Sequence, residues 1–212
     1  MSYKILYTAD LHGNKEFYKK LIEKAKDAEI KAVVIGGDLC PKGGSTVEDG
    51  VAVQREFLER FFIPELSKLK KDIFFIMGND DFRVNETILK EQNNNLKYIH
   101  KKRFSLSSKN IVGYGFVNPT PFRLKDWEKL EDEKQEMPQQ LHDYEIRTVK
   151  KEEGTIKEDL DNFIKLSNPK KTIYVMHAPP FDTKLDVISE GTHVGCKAIR
   201  SFIEKQRLVH NS

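Results

Sequence analysis

Residues 32–38 of the chain read Ala-Val-Val-Ile-Gly-Gly-Asp, a continuous apolar run that breaks at two glycines and a carboxylate. An apolar run of this length, bounded by a turn, is typical of a strand that is buried on both faces of a parallel sheet. A similar pattern occurs at residues 4–10, where a β-prone run stops at Asp10, and at residues 73–81, where an apolar run ends in Gly-Asn-Asp-Asp. The pattern predicts three buried strands, each followed by polar residues.

Between these strands, apolar residues recur at helical spacing at residues 16–28 and 47–69, which predicts a helix in each stretch. Strands that alternate with helices predict an α/β fold with a largely parallel sheet. In the second half, short runs at 98–99, 104–106 and 111–114 predict an antiparallel meander. A helix is then expected at 156–166, a strand at 172–176, a helix at 195–205, and a last strand that begins at Leu208.

Residues 119–155 form a charged stretch with little apolar content, and we interpret it as a surface excursion. Its most charged run, residues 125–134, alternates in sign and is expected to be a solvated helical face. The single tryptophan, Trp127, is expected to pack against the domain. No repeat or long linker divides the chain, so we expect one domain over residues 1–212.

Composition excludes several classes of protein. The chain has 212 residues, of which 38% are hydrophobic and 33% charged, and its net charge is +3. No apolar run is long enough to span a membrane, and the amino-terminal residues do not form a signal peptide, so a cytoplasmic location is expected. The two cysteines, Cys40 and Cys196, predict neither a disulfide framework nor a zinc site. The balanced charge gives no strong indication of nucleic-acid binding.

Metal-binding residue types follow four of the predicted strands. They are Asp10 with His12, Asp38, Asn79 with Asp80 and Asp81, and His177. Ligands of α/β proteins collect at the carboxyl ends of strands, so these side chains are expected to converge. Carboxylate, imidazole and amide groups together suit Mn, Fe or Zn, and a carboxylate can bridge two ions.

Each of these residues, taken alone, has an ordinary explanation, because an Asp at a strand end is often a helix cap and a His is often a satisfied core residue. The joint occurrence after four strands favours the metal site. A nucleotide-binding, doubly wound domain is disfavoured because no Gly-x-Gly-x-x-Gly or phosphate-binding loop follows the first strand.

The blocks Asp10-Leu11-His12, Gly37-Asp38, Gly78-Asn79 and His177 resemble those of the calcineurin-like metallophosphoesterase family. The stretches 120–122, 177–180 and 192–205 are similar to its small, archaeal-type branch. The resemblance implies a four-layer αββα sandwich of two mixed sheets flanked by helices. It also implies two divalent ions, with Mn favoured over Fe or Zn: Asp10, His12 and Asp38 would bind the first, and Asp38, Asn79 and His177 the second.

Two departures from the family pattern concern the site. Where the family has a His after Gly-Asn, this chain has Asp80, and His193 is the expected substitute because it is predicted to lie at the start of a helix that attracts phosphate. We therefore take Asp80 and His193 as the candidate catalytic residues. The family's Gly-His-x-His block is absent, since only His210 occurs near the end. Two alternatives stay open: the chain is a truncated or frame-shifted product, or its site lacks two ligands and retains only one of the two ions.

The resemblance implies hydrolysis of a phosphomonoester or phosphodiester through a metal-bridging hydroxide. The alternative is a catalytically impaired scaffold of the same fold that binds protein partners. The expected ligand is a phosphate-ester substrate. Whether the protein also forms a homo-oligomer or binds a protein partner is left open by the sequence.

Overall fold

The structure is a computed structural model, and it describes residues 3–92, 95–135, 144–188 and 191–208, with residues 207 and 208 described as backbone. The chain forms two compact units, residues 1–100 and 101–212. Each unit contains its own sheet with helices packed on it. The predicted α/β class, two sheets flanked by helices, is thereby confirmed, whereas the expectation of a single domain stays a prediction.

The sheet of the first unit is parallel throughout. Its strands are β1 (Lys4–Thr8), β2 (Ile30–Gly36), β3 (Asp72–Ile76) and β4 (Leu96–Tyr98), and they lie side by side in that order. The central strands β2 and β3 are buried, as their unbroken apolar runs predict. The prediction that the first strand is buried is wrong, because β1 lies at the edge of the sheet and none of its residues is buried. The prediction that the strand at Tyr98 belongs to an antiparallel meander is wrong, because β4 pairs with β3 in parallel after a helical crossover. Two mixed sheets were expected, but only the second sheet is mixed.

Helices of the first unit pack on this sheet through aromatic side chains. They are α1 (Lys15–Ala25), α2 (Val47–Phe57), a π-helical turn (Leu58–Phe62), α3 (Ile63–Ser67) and α4 (Glu86–Lys90), which follows the 3-10 turn Arg83–Asn85. The ring of Tyr18 contacts those of Phe57 and Phe62, and Phe62 contacts Phe75 of β3. The predicted helix over 47–69 is thus largely confirmed. Its π turn precedes Pro64, which lacks the N–H needed to continue the regular ladder.

The second unit contains β5 (Arg103–Leu106), β6 (Lys109–Tyr114) and β7 (Thr172–Met176). Strands β5 and β6 are antiparallel, and β6 and β7 are parallel. Helices α5 (Ile156–Leu166) and α6 (Lys197–Leu208) pack on β7, where the ring of Tyr174 contacts Phe163 and Phe202. A short 3-10 turn, Pro169–Lys171, leads into β7. Among the described helices, none combines the length and the apolar character that a membrane crossing requires.

The charged run at 125–134 differs from its prediction. Its described residues form no helix, and Lys125, Asp126, Glu128, Lys129 and Glu131 are buried. Each is held by an ion pair or a hydrogen bond, as in the contact of Lys129 Nζ with Asp159 Oδ2 at 2.8 Å and the hydrogen bond that the Thr148 N–H donates to Asp126 Oδ1 at 2.7 Å. The prediction of a solvated helical face is therefore wrong. Side chains of alternating charge can also form ion pairs inside a folded loop, and the sequence pattern is the same in both cases. The prediction that Trp127 is packed is confirmed, since its side chain is fully buried.

The last predicted strand is not formed at its expected start. Leu208 is the final residue of α6, because the helical pattern continues beyond its predicted end at residue 205. Val209 and His210 lie outside the described residues.

Candidate metal centre

Three of the predicted ligands converge at the carboxyl ends of β1 and β2. One ligand atom each from Asp10, His12 and Asp38 can be chosen so that all lie within 4.8 Å of one another. The loops that carry them continue the pairing of the strands, since the N–H groups of Asp10 and His12 donate to the carbonyl oxygens of Gly37 and Asp38 at 3.1 and 2.9 Å. The two loops therefore hold the three side chains at one point.

These three residues carry backbone strain, as do Lys101, Ser107 and Asp182 elsewhere in the described chain. Asp10, His12 and Asp38 have φ values of 55°, 43° and 52°, a region that residues other than glycine rarely adopt. Each such conformation costs about 1 kcal/mol or more and persists only where the surroundings impose it. Here the hydrogen bonds between the two loops impose it. Strain of this kind is common at ligand-binding sites.

The imidazole of His12 provides the test of whether these residues suit a metal ion. Its Nδ1 is buried and has no hydrogen-bond partner, and the nearest carboxylate oxygen, Asp80 Oδ2, is 3.6 Å away. Its Nε2 lies 3.8 Å from Asp38 Oδ2, which is also beyond hydrogen-bonding distance. An unsatisfied nitrogen beside carboxylate oxygens suits a divalent transition ion. The donor set therefore fits the metal that the sequence predicts.

The loop after β3 contributes Asn79 and Asp80. The backbone N–H of Asp80 donates to Asp38 Oδ1 at 2.9 Å, and the amide of Asn79 donates to Asp80 Oδ1 at 3.3 Å. Asp80 Oδ2 also forms an ion pair with Lys42 Nζ at 2.6 Å. The hydrogen bond with Asp80 is the main cause that raises the pKa of Lys42, so this ammonium stays charged beside the carboxylates.

Asp81 links the loops after β2 and β3. Its fully buried carboxylate accepts hydrogen bonds from the N–H groups of Leu39, Cys40 and Gly78 at 2.8 to 3.0 Å. Burial, followed by the charge of Asp38, raises the pKa of Asp81 to about 7, although the three N–H donors act to lower it. Burial also raises the pKa of the Cys40 thiol well above its usual range, so Cys40 is an inert, packed side chain.

His177 directly follows β7 in the second unit, as predicted. Its backbone N–H donates to the carbonyl of Tyr114 at 3.0 Å, which continues the β6–β7 ladder by one residue. His177 therefore stands at a strand end, and its assignment as a ligand stays a prediction.

His193 does not lie at a helix start. It pairs with Val187 in an isolated antiparallel bridge, and α6 begins four residues later, at Lys197. The N–H of Ala198 at that helix end donates to Glu131 Oε2 at 2.9 Å, so a protein carboxylate already occupies the position predicted for phosphate. The imidazole Nδ1 instead lies 2.8 Å from Asp186 Oδ1.

Sequence reasoning missed Lys42 and Asp186. Lys42 follows the bridging candidate Asp38 by four residues in a glycine-rich loop, and no residue pattern indicates its pairing with Asp80. Asp186 precedes His193 by seven residues with no regular element between them, so spacing alone could not reveal the contact.

Comparisons with known proteins identify the family and the fold of the chain. The profile of the calcineurin-like phosphoesterases matches residues 3–210. An uncharacterized protein of Methanocaldococcus jannaschii, MJ1162, is 28% identical over 205 residues, which cover 95% of this chain and 73% of that protein. A crystal structure of TT1561 from Thermus thermophilus aligns with a TM-score of 0.54 at 16% identity, over 96% of this chain and 77% of that one.

A further crystal structure aligns with a TM-score of 0.68 at 15% identity and covers 98% of this chain and 81% of the other. At these identities the two structures establish the fold alone, whereas the profile match extends over nearly the whole chain. The protein therefore belongs to the calcineurin-like phosphoesterase family.

Proposed function

We propose that the protein is a metal-dependent phosphoesterase that hydrolyses a phosphomonoester or a phosphodiester. The observation that carries the proposal is the convergence of Asp10, His12 and Asp38 within 4.8 Å. Membership of the calcineurin-like phosphoesterase family supports the same reaction class. In this reaction water adds to phosphorus, and the bond from phosphorus to the leaving oxygen breaks.

Asp10, His12 and Asp38 would hold one divalent ion, and Asp38 would share a second ion with Asn79. Mn is the ion we favour, because mixed carboxylate, amide and imidazole ligands suit it. When bound, such an ion supplies a Lewis acid that polarises the phosphoryl oxygens. The strained loop conformations support this assignment, since they hold the three side chains in place before any ion binds.

Lys42 adds a positive charge at the same edge of the sheet. Its ammonium lies against Asp80 and is also influenced by Asp38 and Asp10. A phosphate ester is anionic, so this charge favours its approach to a surface that is otherwise acidic. Asp80, as the anchor of Lys42, is the residue we propose to act on the substrate side of the reaction, and the expected role of His193 stays a prediction.

The test combines metal binding with hydrolysis. Titration calorimetry with Mn²⁺ and turnover of p-nitrophenyl phosphate and bis-p-nitrophenyl phosphate are measured for the wild type and for Asp38→Asn. The control is Asp72→Asn, which neutralises a carboxylate at the first residue of β3, the opposite end of the strand. We expect Asp38→Asn to lose Mn²⁺ binding and turnover together, and Asp72→Asn to keep both.

A wild-type protein that binds no Mn²⁺ and hydrolyses neither ester would contradict the proposal. That result would favour the scaffold alternative. Turnover that survives in Asp38→Asn would show that the reaction takes place elsewhere on the protein.

A further inference from the structure

The helices α5 and α6 begin beside each other, at the loop formed by residues 130–135. The N–H of Lys157 donates to the Glu131 carbonyl at 3.0 Å, and the N–H of Ala198 donates to Glu131 Oε2 at 2.9 Å. The N–H of Glu131 in turn donates to the side-chain oxygen of Gln135 at 2.7 Å. One residue of the loop therefore holds the first turns of both helices.

A groove with a volume of about 500 Å³ lies between the two helices and this loop, and we call it the α5–α6 groove. All of the residues that line it belong to the second unit. On α5 they are Lys157, Leu160, Asp161 and Ile164, at the spacing of one helical face. Sites for small molecules have volumes of about 300 to 1,000 Å³. The groove is therefore large enough for a small organic molecule.

The lining of the groove carries four ammonium groups, on Lys134, Lys157, Lys197 and Lys205. Within the described part of the chain none of them forms an ion pair, although Lys197 Nζ lies 5.1 Å from the centre of the Phe181 ring. Lys134 belongs to the loop, and Lys157 and Lys197 belong to the first turns of the two helices. These three lysines define the basic end of the groove, where the helix dipoles add further positive potential.

Three carboxylates also line the groove, and the two in the loop are engaged by backbone N–H groups. Glu131 accepts from Ala198, and Asp132 Oδ1 accepts from the N–H groups of Lys134 and Gln135 at 2.8 and 3.0 Å. The third carboxylate, Asp161, is exposed on α5. Four ammonium groups thus face three carboxylates, two of which already have donors. The potential at the basic end favours an anionic group.

Beyond the basic end the floor of the groove is apolar. Leu160 and Phe202 are buried, whereas Ile164 is 40% exposed. Ile164 follows Lys157 by seven residues, which corresponds to about 10 Å along the helix. A ligand that extends from the basic end along α5 would therefore contact apolar side chains.

We propose that the α5–α6 groove binds an organic phosphate, with the phosphate group against the lysines of the basic end and an apolar body over Leu160 and Ile164. Nucleoside phosphates and alkyl phosphates share this chemistry. A protein partner is disfavoured, because a stable interface takes about 20 to 30 residues a side and the groove is lined by 14. The inference is independent of the proposed function, since no residue of the candidate metal centre takes part.

The first test is an NMR titration of the ¹⁵N-labelled full chain in buffer that contains EDTA, so that no metal ion contributes to phosphate binding. The ligands are ADP, octyl phosphate, adenosine and pyrophosphate. We expect ADP or octyl phosphate to shift the amide signals of residues 131–135, 157–164 and 197–206 saturably. A tighter complex with ADP identifies the nucleoside class, and a tighter complex with octyl phosphate identifies the alkyl class.

The two single-feature ligands are the controls of this titration. Adenosine lacks the phosphates and pyrophosphate lacks the apolar body, so each should bind at least about 10-fold more weakly than the better organic phosphate. Pyrophosphate that binds as tightly would overturn the inference, because the apolar floor would then contribute nothing. The absence of saturable shifts in the three segments with both organic phosphates would also overturn it.

The second test removes charge from the basic end. The double variant Lys157→Ala, Lys197→Ala should raise the Kd of the better organic phosphate about 10-fold, since two exposed charge contacts are lost. The matched control is Lys165→Ala, Lys170→Ala, which removes the same charge from exposed positions outside the groove. It should change the Kd by less than about 2-fold. Equal losses in the two double variants would overturn the inference.

The third test removes an apolar contact. Ile164→Ser should raise the Kd about 3-fold or more, because it deletes the exposed apolar side chain of the groove. Leu166→Ser is the control, since Leu166 is also 40% exposed on α5 but does not line the groove. Both substitutions are at exposed positions, and the amide spectrum of each variant verifies that it is folded. An Ile164→Ser variant that binds as tightly as the wild type would overturn the inference.

Discussion

The backbone N–H of Asp80 donates to Asp38 Oδ1 at 2.9 Å, which connects the loop after β3 to the carboxylate that we assign as the bridge between two ions. The hydrogen bond occupies one side of Oδ1 and orients the carboxylate, while Oδ2 lies towards His12 Nε2 at 3.8 Å. The ligands of a metal are usually oriented by such outer contacts. The backbone of this loop thus contributes to the site independently of its side chains.

Lys42 is expected to compete with a metal ion for the carboxylates. Its ammonium lies 2.6 Å from Asp80 Oδ2, and its side chain is 66% exposed to solvent, so the competition is modest. Lys42→Ala should therefore tighten Mn²⁺ binding by about 2- to 5-fold, which corresponds to an exposed charge interaction of less than about 1 kcal/mol. Calorimetry in buffer free of phosphate measures the effect.

The control for Lys42 is Lys68→Ala, since Lys68 forms an ion pair of the same 2.6 Å length with Glu65 on α3. It should leave Mn²⁺ affinity unchanged. Weaker Mn²⁺ binding in Lys42→Ala would contradict the interpretation.

Asp81 is expected to stabilise the first unit rather than to act in chemistry. Asp81→Ala would leave three buried N–H donors without an acceptor, each at a cost of about 1 kcal/mol or more, so the free energy of unfolding should fall by about 3 kcal/mol. Urea denaturation of the metal-free protein measures it. Asp81→Asn retains one carbonyl oxygen as an acceptor, so its free energy of unfolding should fall by less. Equal losses of unfolding free energy in the two variants, or a loss below about 1 kcal/mol in Asp81→Ala, would be inconsistent with this role.

Asp159 is expected to stabilise the second unit in a pH-dependent way. It accepts from Lys101 at 2.9 Å, Lys129 at 2.8 Å and Tyr114 at 2.7 Å, and Lys129 is buried. Although burial opposes them, these contacts lower the pKa of Asp159. Its stabilising effect is therefore complete above the unfolded-state pKa of about 3.9 and is lost as the pH falls through the lower folded-state pKa.

Asp159→Asn should accordingly reduce the free energy of unfolding by about 3 kcal/mol at neutral pH, because Lys129 would lose its buried partner. The difference from the wild type should shrink below about pH 4. Urea denaturation at both pH values measures this, with Asp161→Asn as the control, since Asp161 is exposed on the same helix. A difference that grows as the pH falls would contradict the assignment.

Asp80→His tests leaving-group assistance in the first unit. The substitution restores the residue type that the family uses after Gly-Asn, and it should raise turnover by about 10- to 100-fold through general-acid catalysis. Turnover of bis-p-nitrophenyl phosphate is compared at equal metal content. An unchanged rate would indicate that another group, with His193 as the first candidate, already supplies the proton.

Much of the first unit could be predicted from sequence because its signals are local. The apolar run at 32–35 is long enough to indicate a strand buried on both faces, and the polar residues after it mark the end of that strand. The convergence of Asp10, His12 and Asp38 follows from parallel pairing, since the carboxyl ends of β1 and β2 meet at one edge.

The second unit was less predictable because its contacts are not periodic. Lys129 and Asp159 are 30 residues apart, and nothing in the charged run shows which of its members are paired and buried. His193 was expected at a helix start, yet a bridge to Val187 and the contact with Asp186 determine its position. Tertiary contacts of this kind override the local pattern.

The central claim is that Asp10, His12 and Asp38 bind a divalent ion, and anomalous scattering tests it most directly. Crystals of the wild-type protein are soaked in millimolar MnCl₂, and data are collected on both sides of the Mn absorption edge. We predict an anomalous peak within about 2.5 Å of ligand atoms of all three residues. The absence of any peak within coordination distance of Asp38, in crystals soaked to saturation, would contradict the account.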